Sequence, residues 1–176
     1  CVEGFEALWG GLGLQQAPGP VSYFDLGSGG GLPGIIWHRL LSERVADLQT
    51  CLVEPREKRA WFLQRQDKLP AMAPFGVWAG RWEDVPPLAS SSPGPVVIIS
   101  LKALHLTDPE VLAGLKRAMP DLTGARVVIA RYYPAGQACD QETCGRDDSN
   151  DRAEQRSFVP QGHDFFLLRN CSPQQL

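Results

Sequence analysis

Histidine and methionine are scarce in this chain, at three and two residues of 176, and cysteine numbers five. Long apolar runs are missing: none approaches the ~18 residues a membrane span requires, and no basic-then-apolar leader opens the chain. These absences exclude a transmembrane helix and set a cytoplasmic location as the expectation. A surplus of positive charge is also missing. The formal net charge of −3 excludes a protein coated in positive potential. No internal repeat is present, which excludes a solenoid. The five cysteines (Cys1, Cys51, Cys139, Cys144, Cys171) show no framework spacing. Cys139 and Cys144 would need His163 and Cys171 to complete a zinc site, so ordinary reduced thiols and no metal are expected. Cys51 alternates with apolar neighbours and reads as core. The opening Cys1, in place of Met, sets the expectation of further N-terminal sequence.

What is present fits one domain with a substantial core, residues 21–176, preceded by an N-terminal helical segment, 1–20. A monomer is expected. The most informative run is Asp25-Leu26-Gly27-Ser28-Gly29-Gly30-Gly31-Leu32-Pro33-Gly34. It lies between a strand-like stretch (Val21, Tyr23, Phe24) and a helix-like one (Ile35, Trp37, Leu40, Leu41, Val45). Strand, glycine turn and helix form a nucleotide-type corner where backbone can approach a ligand closely. Gly29 to Gly34 satisfies the dinucleotide fingerprint G-x-G-x-x-G. Counting Asp25, the same run satisfies D-x-G-x-G-x-G, the S-adenosylmethionine pattern. A carboxylate at the strand end costs several kcal/mol to bury without a partner. A methionine ammonium is such a partner and a pyrophosphate is not. Asp25 therefore favours S-adenosyl-L-methionine over NAD; a ligand-free surface turn is the bland alternative.

Downstream, 49–54 reads as a buried strand ending in Glu54, placed to accept two hydrogen bonds from a ribose or, in the bland reading, to start a helix. A basic helix is expected over 55–69, with Trp61, Phe62 and Leu63 as its buried anchor. Arg56, Lys58 and Arg59 lie on that helix and either face phosphates or form a solvated surface. Further strands are expected at 75–79, 96–99 and 126–131, and a helix capped by Asp108 runs to about 118. The polar stretch 134–156 reads as a loop or weak helix. Two terminal strands near 157–159 and 164–168 must pair antiparallel because their connection is short. The sum is an α/β, Rossmann-like fold: a mostly parallel seven-stranded sheet with a C-terminal antiparallel hairpin and helices on both faces.

The glycine run ending in Leu32-Pro33-Gly34, with Leu52-Val53-Glu54 leading into Lys58-Arg59-x-x-Phe62-Leu63, resembles the glucose-inhibited division protein B family. Gly80-Arg81-Trp82-Glu83-Asp84 is similar to that family's Arg-Ala-Glu-(Asp/Glu) segment. The likeness covers roughly 21–131 and is densest over 23–84. It implies a class I S-adenosylmethionine-dependent methyltransferase fold and methylation of a guanine N7 in small-subunit ribosomal RNA. Asp25, Gly27, Gly29 and Gly31 are expected to hold the methionine half of the cofactor, with Ser28 and Ser100 also expected among the cofactor-binding residues. Glu54 takes the ribose, and Trp82 and Glu83 the adenine, with Trp82 alternatively packing beneath the corner. The chain departs from the family after strand four, where Ser100-Leu101-Lys102 replaces Ser-Arg, and after strand five, where Arg131-Tyr132-Tyr133 replaces Lys-Gly. The family's His-x-x-Asp-Ser segment is absent from 1–20.

Methyl transfer is an in-line displacement, so positioning dominates, and a guanine N7 needs no general base. Lys102 and Arg131 are the candidates for holding a substrate phosphate or orienting a base. Tyr132 and Tyr133 could stack on a nucleobase or serve the fold. His105 reads more readily as a surface or packing residue than as a base. An RNA base methyltransferase is the leading expectation. A small-molecule or protein methyltransferase, a non-catalytic cofactor-binding module and, last, an NAD oxidoreductase stay open.

Overall fold

The computed structural model describes residues 2–11, 13, 19–66, 68–70, 72–87, 96–102, 104–123, 125–134, 156–158 and 164–171. In chain order these form α1 (Val2–Gly11), β1 (Val21–Leu26), α2 (Gly34–Ser42), β2 (Leu48–Val53), α3 (Glu57–Gln66), β3 (Gly76–Trp78), a 3₁₀ turn (Trp82–Asp84), β4 (Val96–Lys102), α4 (Asp108–Ala118), β5 (Arg126–Pro134), β6 (Arg156–Phe158) and β7 (Asp164–Cys171). Strands β1 to β5 pair in parallel in the order β3-β2-β1-β4-β5. Beyond β5 the backbone adds β7 antiparallel to it and β6 antiparallel to β7. The segment 159–163 between those two strands, and the expected loop from 135 to 155, lie outside the described residues.

Strand alternation sorts the core into two layers. Phe24, Leu26, Val97, Ile99, Leu101, Val127 and Ile129 face α4 and the 3₁₀ turn. Val21, Tyr23, Ile98 and Val128 face α1 and α2, where Phe5, Leu8, Trp37 and Leu41 cover them. Near-continuous apolar runs such as Val96–Ile99 follow from burial on both faces. Cys51 is buried and free, and burial pushes its thiol up to about 11; it is a core residue.

Two helices depart from the sequence expectation. In α3 only Ala60 and Leu63 are buried, whereas Trp61 and Phe62 are 58% and 44% exposed. Three consecutive positions on a helix span about 200°, so one face cannot bury all of them. At α4 the cap is Thr107, not Asp108. The Thr107 hydroxyl accepts from the Glu110 N–H, and the Glu110 carboxylate accepts from the Thr107 N–H at 2.7 Å. That reciprocal pair is a capping box, legible as Thr-x-x-Glu. Asp108 is thereby freed for another contact.

Candidate functional site

The sheet order reverses between β1, which leads left to β2, and β4, which leads right to β5. At such a switch point the connections diverge and leave a crevice beyond the strand carboxyl ends. The glycine run forms its floor. Gly27, Gly29 and Gly31 adopt φ of 72°, 56° and 88°, the left-handed region that L side chains avoid. The Gly27 and Ser28 N–H groups donate to the Val53 carbonyl at 2.9 and 3.1 Å, tying the turn to β2. The Ser28 hydroxyl donates to the Asp25 carbonyl at 2.8 Å. Ser28 is thus buried as a brace of the turn.

Asp25 is the penultimate residue of β1 and is 1% exposed. Its Oδ1 accepts a hydrogen bond from the Ser100 hydroxyl, opposite it on β4. Oδ2 has no hydrogen-bond partner among the described residues. It lies against the first turn of α2, where a Cβ on Gly34 would collide with it. Burial raises the carboxyl from 3.8 to about 6, opposed by Ser100, Ser28, the nearby Gly34 N–H and the charge of Lys102. A buried, half-satisfied carboxylate at a crevice attracts a cationic donor.

Glu54 directly follows β2 and is 3% exposed. One oxygen accepts from the Gly29 N–H at 2.8 Å, the other from the Arg56 N–H at 2.9 Å. Sequence reasoning missed this second duty: Glu54 fastens the glycine turn to the start of α3. Each oxygen keeps a further acceptor direction. The Arg59 guanidinium reaches over the turn beside Gly29. Arg56, just before α3, and Lys58, Arg59, Trp61 and Phe62 on α3 are all exposed. The Arg65 guanidinium lies 4.7 Å from the Trp61 ring.

Two expected residues have other duties. Trp82 is 3% exposed, donates its indole N–H to the Val111 carbonyl at 2.9 Å and meets Phe24 edge-on at 5.5 Å. It packs beneath the corner against α4, the alternative to the expected adenine contact. Arg131, proposed to hold substrate, is 5% exposed and pairs with Asp108 through Nη2 at 2.5 Å and Nε at 3.1 Å. That ion pair locks α4 to β5, so Arg131 is not free for a phosphate. Lys102 is half-buried, with Nζ 4.8 Å from the Tyr132 ring centroid. It remains at the crevice edge with Ser100. Glu83 and His105 are exposed. His38 is buried; its Nε2–H donates to the Ala73 carbonyl and Nδ1 accepts from the Thr50 hydroxyl, both at 2.9 Å. Burial pushes its pKa down, and it serves the fold. The cysteine pair Cys139 and Cys144, with His163, lies outside the described residues, as do the side chains of Tyr133 and Cys171. Among the described residues no cluster of His, Cys, Asp and Glu could hold a metal ion, and no helix is long and apolar enough to cross a membrane.

Comparison with known proteins bears on this corner. No protein-family profile matches the chain. The ribosomal RNA small subunit methyltransferase G of Cereibacter sphaeroides is 36% identical over 113 residues, 64% of this chain and 49% of that protein. The protein of the same name from Rhizobium rhizogenes is 40% identical over 95 residues, 54% of this chain and 43% of that protein. The chain thus spans about half the length, or less, of the curated relatives it matches. Among solved structures, a SAM-dependent methyltransferase from Aquifex aeolicus superposes with a TM-score of 0.57 at 13% identity, covering 92% of this chain and 87% of that one. The magnesium protoporphyrin IX methyltransferase of Synechocystis, solved with bound SAM, gives 0.55 at 13% identity, covering 97% and 79%. The five-stranded parallel α/β fold is that of the class I methyltransferases.

Proposed function

We propose that this chain is the S-adenosyl-L-methionine-binding part of a methyltransferase whose acceptor is an RNA base, guanine N7 of small-subunit ribosomal RNA. The single observation that carries the reading is the buried Asp25 carboxylate with Oδ2 unmatched at the switch-point crevice. A cationic methionine ammonium supplies what that oxygen lacks, whereas a diphosphate would be repelled. The residues fit the cofactor at two places and not at a third. Asp25 would hold the ammonium, directly or through water, and Glu54 would accept from ribose hydroxyls. Gly27, Gly29 and Gly31 would admit the ligand close to backbone, with Ser28 and Ser100 holding the turn and the carboxylate from behind. Trp82 does not fit, being enclosed in the core; Glu83, exposed beside it, would border the adenine. In finer detail the fold reading is the seven-stranded class I sheet with its antiparallel C-terminal pair, residues 21–176, with 1–20 as an N-terminal helical segment.

When bound, the cofactor supplies an electrophilic sulfonium methyl. The protein's own part is to orient the acceptor and exclude water, since a guanine N7 lone pair carries no proton to remove. Lys102 stands at the crevice edge and would hold acceptor phosphate. For the RNA itself, α3 supports the reading: Arg56, Lys58, Arg59 and Arg65 accompany the exposed rings of Trp61 and Phe62. Cations that neutralise phosphate beside rings that stack on bases are the usual composition of a single-strand surface. A cytoplasmic monomer fits this role.

A small-molecule or protein acceptor is the second reading. It is favoured by the engagement of Arg131 with Asp108, which removes one cation from the crevice. The decisive experiment supplies labelled S-adenosylmethionine and deproteinised small-subunit ribosomal RNA, then maps any label to a nucleoside. Label on 7-methylguanosine is expected. Binding of S-adenosylhomocysteine with no label in RNA would sink the RNA reading, and binding of NADH instead would sink the methyltransferase reading.

A further inference from the structure

Tyr23 lies two residues before Asp25 on β1, so both side chains leave the same face of the sheet. Its hydroxyl is 2.8 Å from Ser100 Oγ, and Ser100 in turn donates to Asp25 Oδ1. A serine hydroxyl has one proton. An ionised carboxylate only accepts, so that proton points to Asp25, and Tyr23 must be the donor to Ser100. The three groups form a directed chain from β1 to β4 and back. Tyr23 is wholly buried, and its ring is held against Trp37 at 6.1 Å between centroids. A phenylalanine would fill the same space. A hydroxyl in a dry core is destabilising unless bonded, and this one is bonded only toward the carboxylate.

We propose that Tyr23 is a positioning residue for Asp25, acting through Ser100: it fixes the serine rotor so that Oδ1 is engaged by the serine and Oδ2 is the oxygen left for a cationic ligand group. Hydrogen bonds in series polarise one another, so the outer member strengthens the inner. The phenol stays neutral, because burial and the Asp25 charge both push its pKa up. The other groups around Asp25 are few. Lys102 approaches from β4, β2 faces it with Leu52, and α2 presents the Gly34 backbone. The ligand half of this inference rests on the cofactor reading above; the carboxylate half does not.

The test is a titration of the Asp25 carboxyl carbon by NMR in aspartate-labelled protein, without ligand. Tyr23→Phe is expected to raise its midpoint by roughly half a pH unit and Ser100→Ala by roughly one. The double variant is expected to match Ser100→Ala alone, because Tyr23 acts only through the serine. A wild-type midpoint in Tyr23→Phe, or additive shifts in the double variant, would overturn the proposal. In the unaltered protein the Tyr23 hydroxyl proton is expected to shift with Asp25 ionisation, and a hydroxyl indifferent to pH across that range overturns it equally. S-adenosylmethionine affinity measured against pH should move in parallel with the carboxyl midpoint. If the unaltered protein binds no S-adenosylmethionine while the midpoints move as stated, the cofactor reading falls and the positioning role stands.

Discussion

Two buried aspartates stand on the same edge of the sheet with opposite electrostatic settings. Asp108, at the start of α4, meets the Arg131 guanidinium through two nitrogens. Asp25, at the end of β1, meets a serine hydroxyl, and its second oxygen has no partner among the described residues. The first charge is neutralised inside the fold and can recognise nothing else. The second keeps one oxygen without a hydrogen-bond partner among the described residues, at the carboxyl edge of the sheet. An acidic residue's burial therefore does not separate structural from functional carboxylates; the identity of its partner does.

Removing one member of the ion pair should have the largest effect. Asp108→Ala leaves a buried, unpaired guanidinium and is expected to destabilise the protein by about 3–5 kcal/mol. Urea unfolding checks this, and an apolar replacement of both partners should recover most of the loss. If Asp108→Ala unfolds like the unaltered protein, the two aspartates do not differ as described.

Asp25→Asn tests the other side and should act with the opposite sign on stability. The carboxyl is raised to about 6 in the fold, so its ionisation disfavours the native state. The stability linked to this group is fully present below about pH 4 and is lost as pH rises through about 6, by up to about 3 kcal/mol. At pH 8 Asp25→Asn is therefore expected to melt higher than the unaltered protein while its affinity for S-adenosylmethionine falls at least about tenfold. A variant that gains no stability, or keeps its affinity, breaks the comparison. His38 contributes the reverse slope. Its pKa is lowered by burial, so its contribution is present at neutral pH and lost as acid protonates it. Replacing Asp25 should thus leave a stability curve that only falls toward acid below pH 6.

The smallest effect on stability is expected at Trp61. Trp61→Ala removes an exposed ring and should change unfolding free energy by no more than about 0.5 kcal/mol. On the proposed RNA surface it should weaken binding of single-stranded ribosomal RNA by about fivefold or more. Equal affinity would remove α3 from the interface and favour a small-molecule acceptor.

The glycine corner was legible because it depends on local backbone demands: left-handed turns at Gly27, Gly29 and Gly31, and an acidic strand end before them. The parallel strands were legible from apolar runs buried on both faces. Side-chain partners separated widely in sequence were not. Nothing local announces that Arg131 turns to Asp108, 23 residues earlier, or that Trp82 enters the core beside Val111. Thr107-x-x-Glu110 is a capping-box pattern, but the Asp108 that follows Thr107 is itself a favoured cap residue, so the local pattern alone does not choose between them. For α3, an aromatic pair next to Leu63 read as an anchor, but the helical period left room for only Ala60 and Leu63 against the sheet.

Trp82 seats its indole where α4 has glycine: a Cβ at Gly114 would overlap the ring. The bare position on α4 can therefore take a side chain only if the bulky residue after β3 becomes smaller. A side chain introduced at 114 would push on the Trp82 indole and, through it, on the 3₁₀ turn that follows β3.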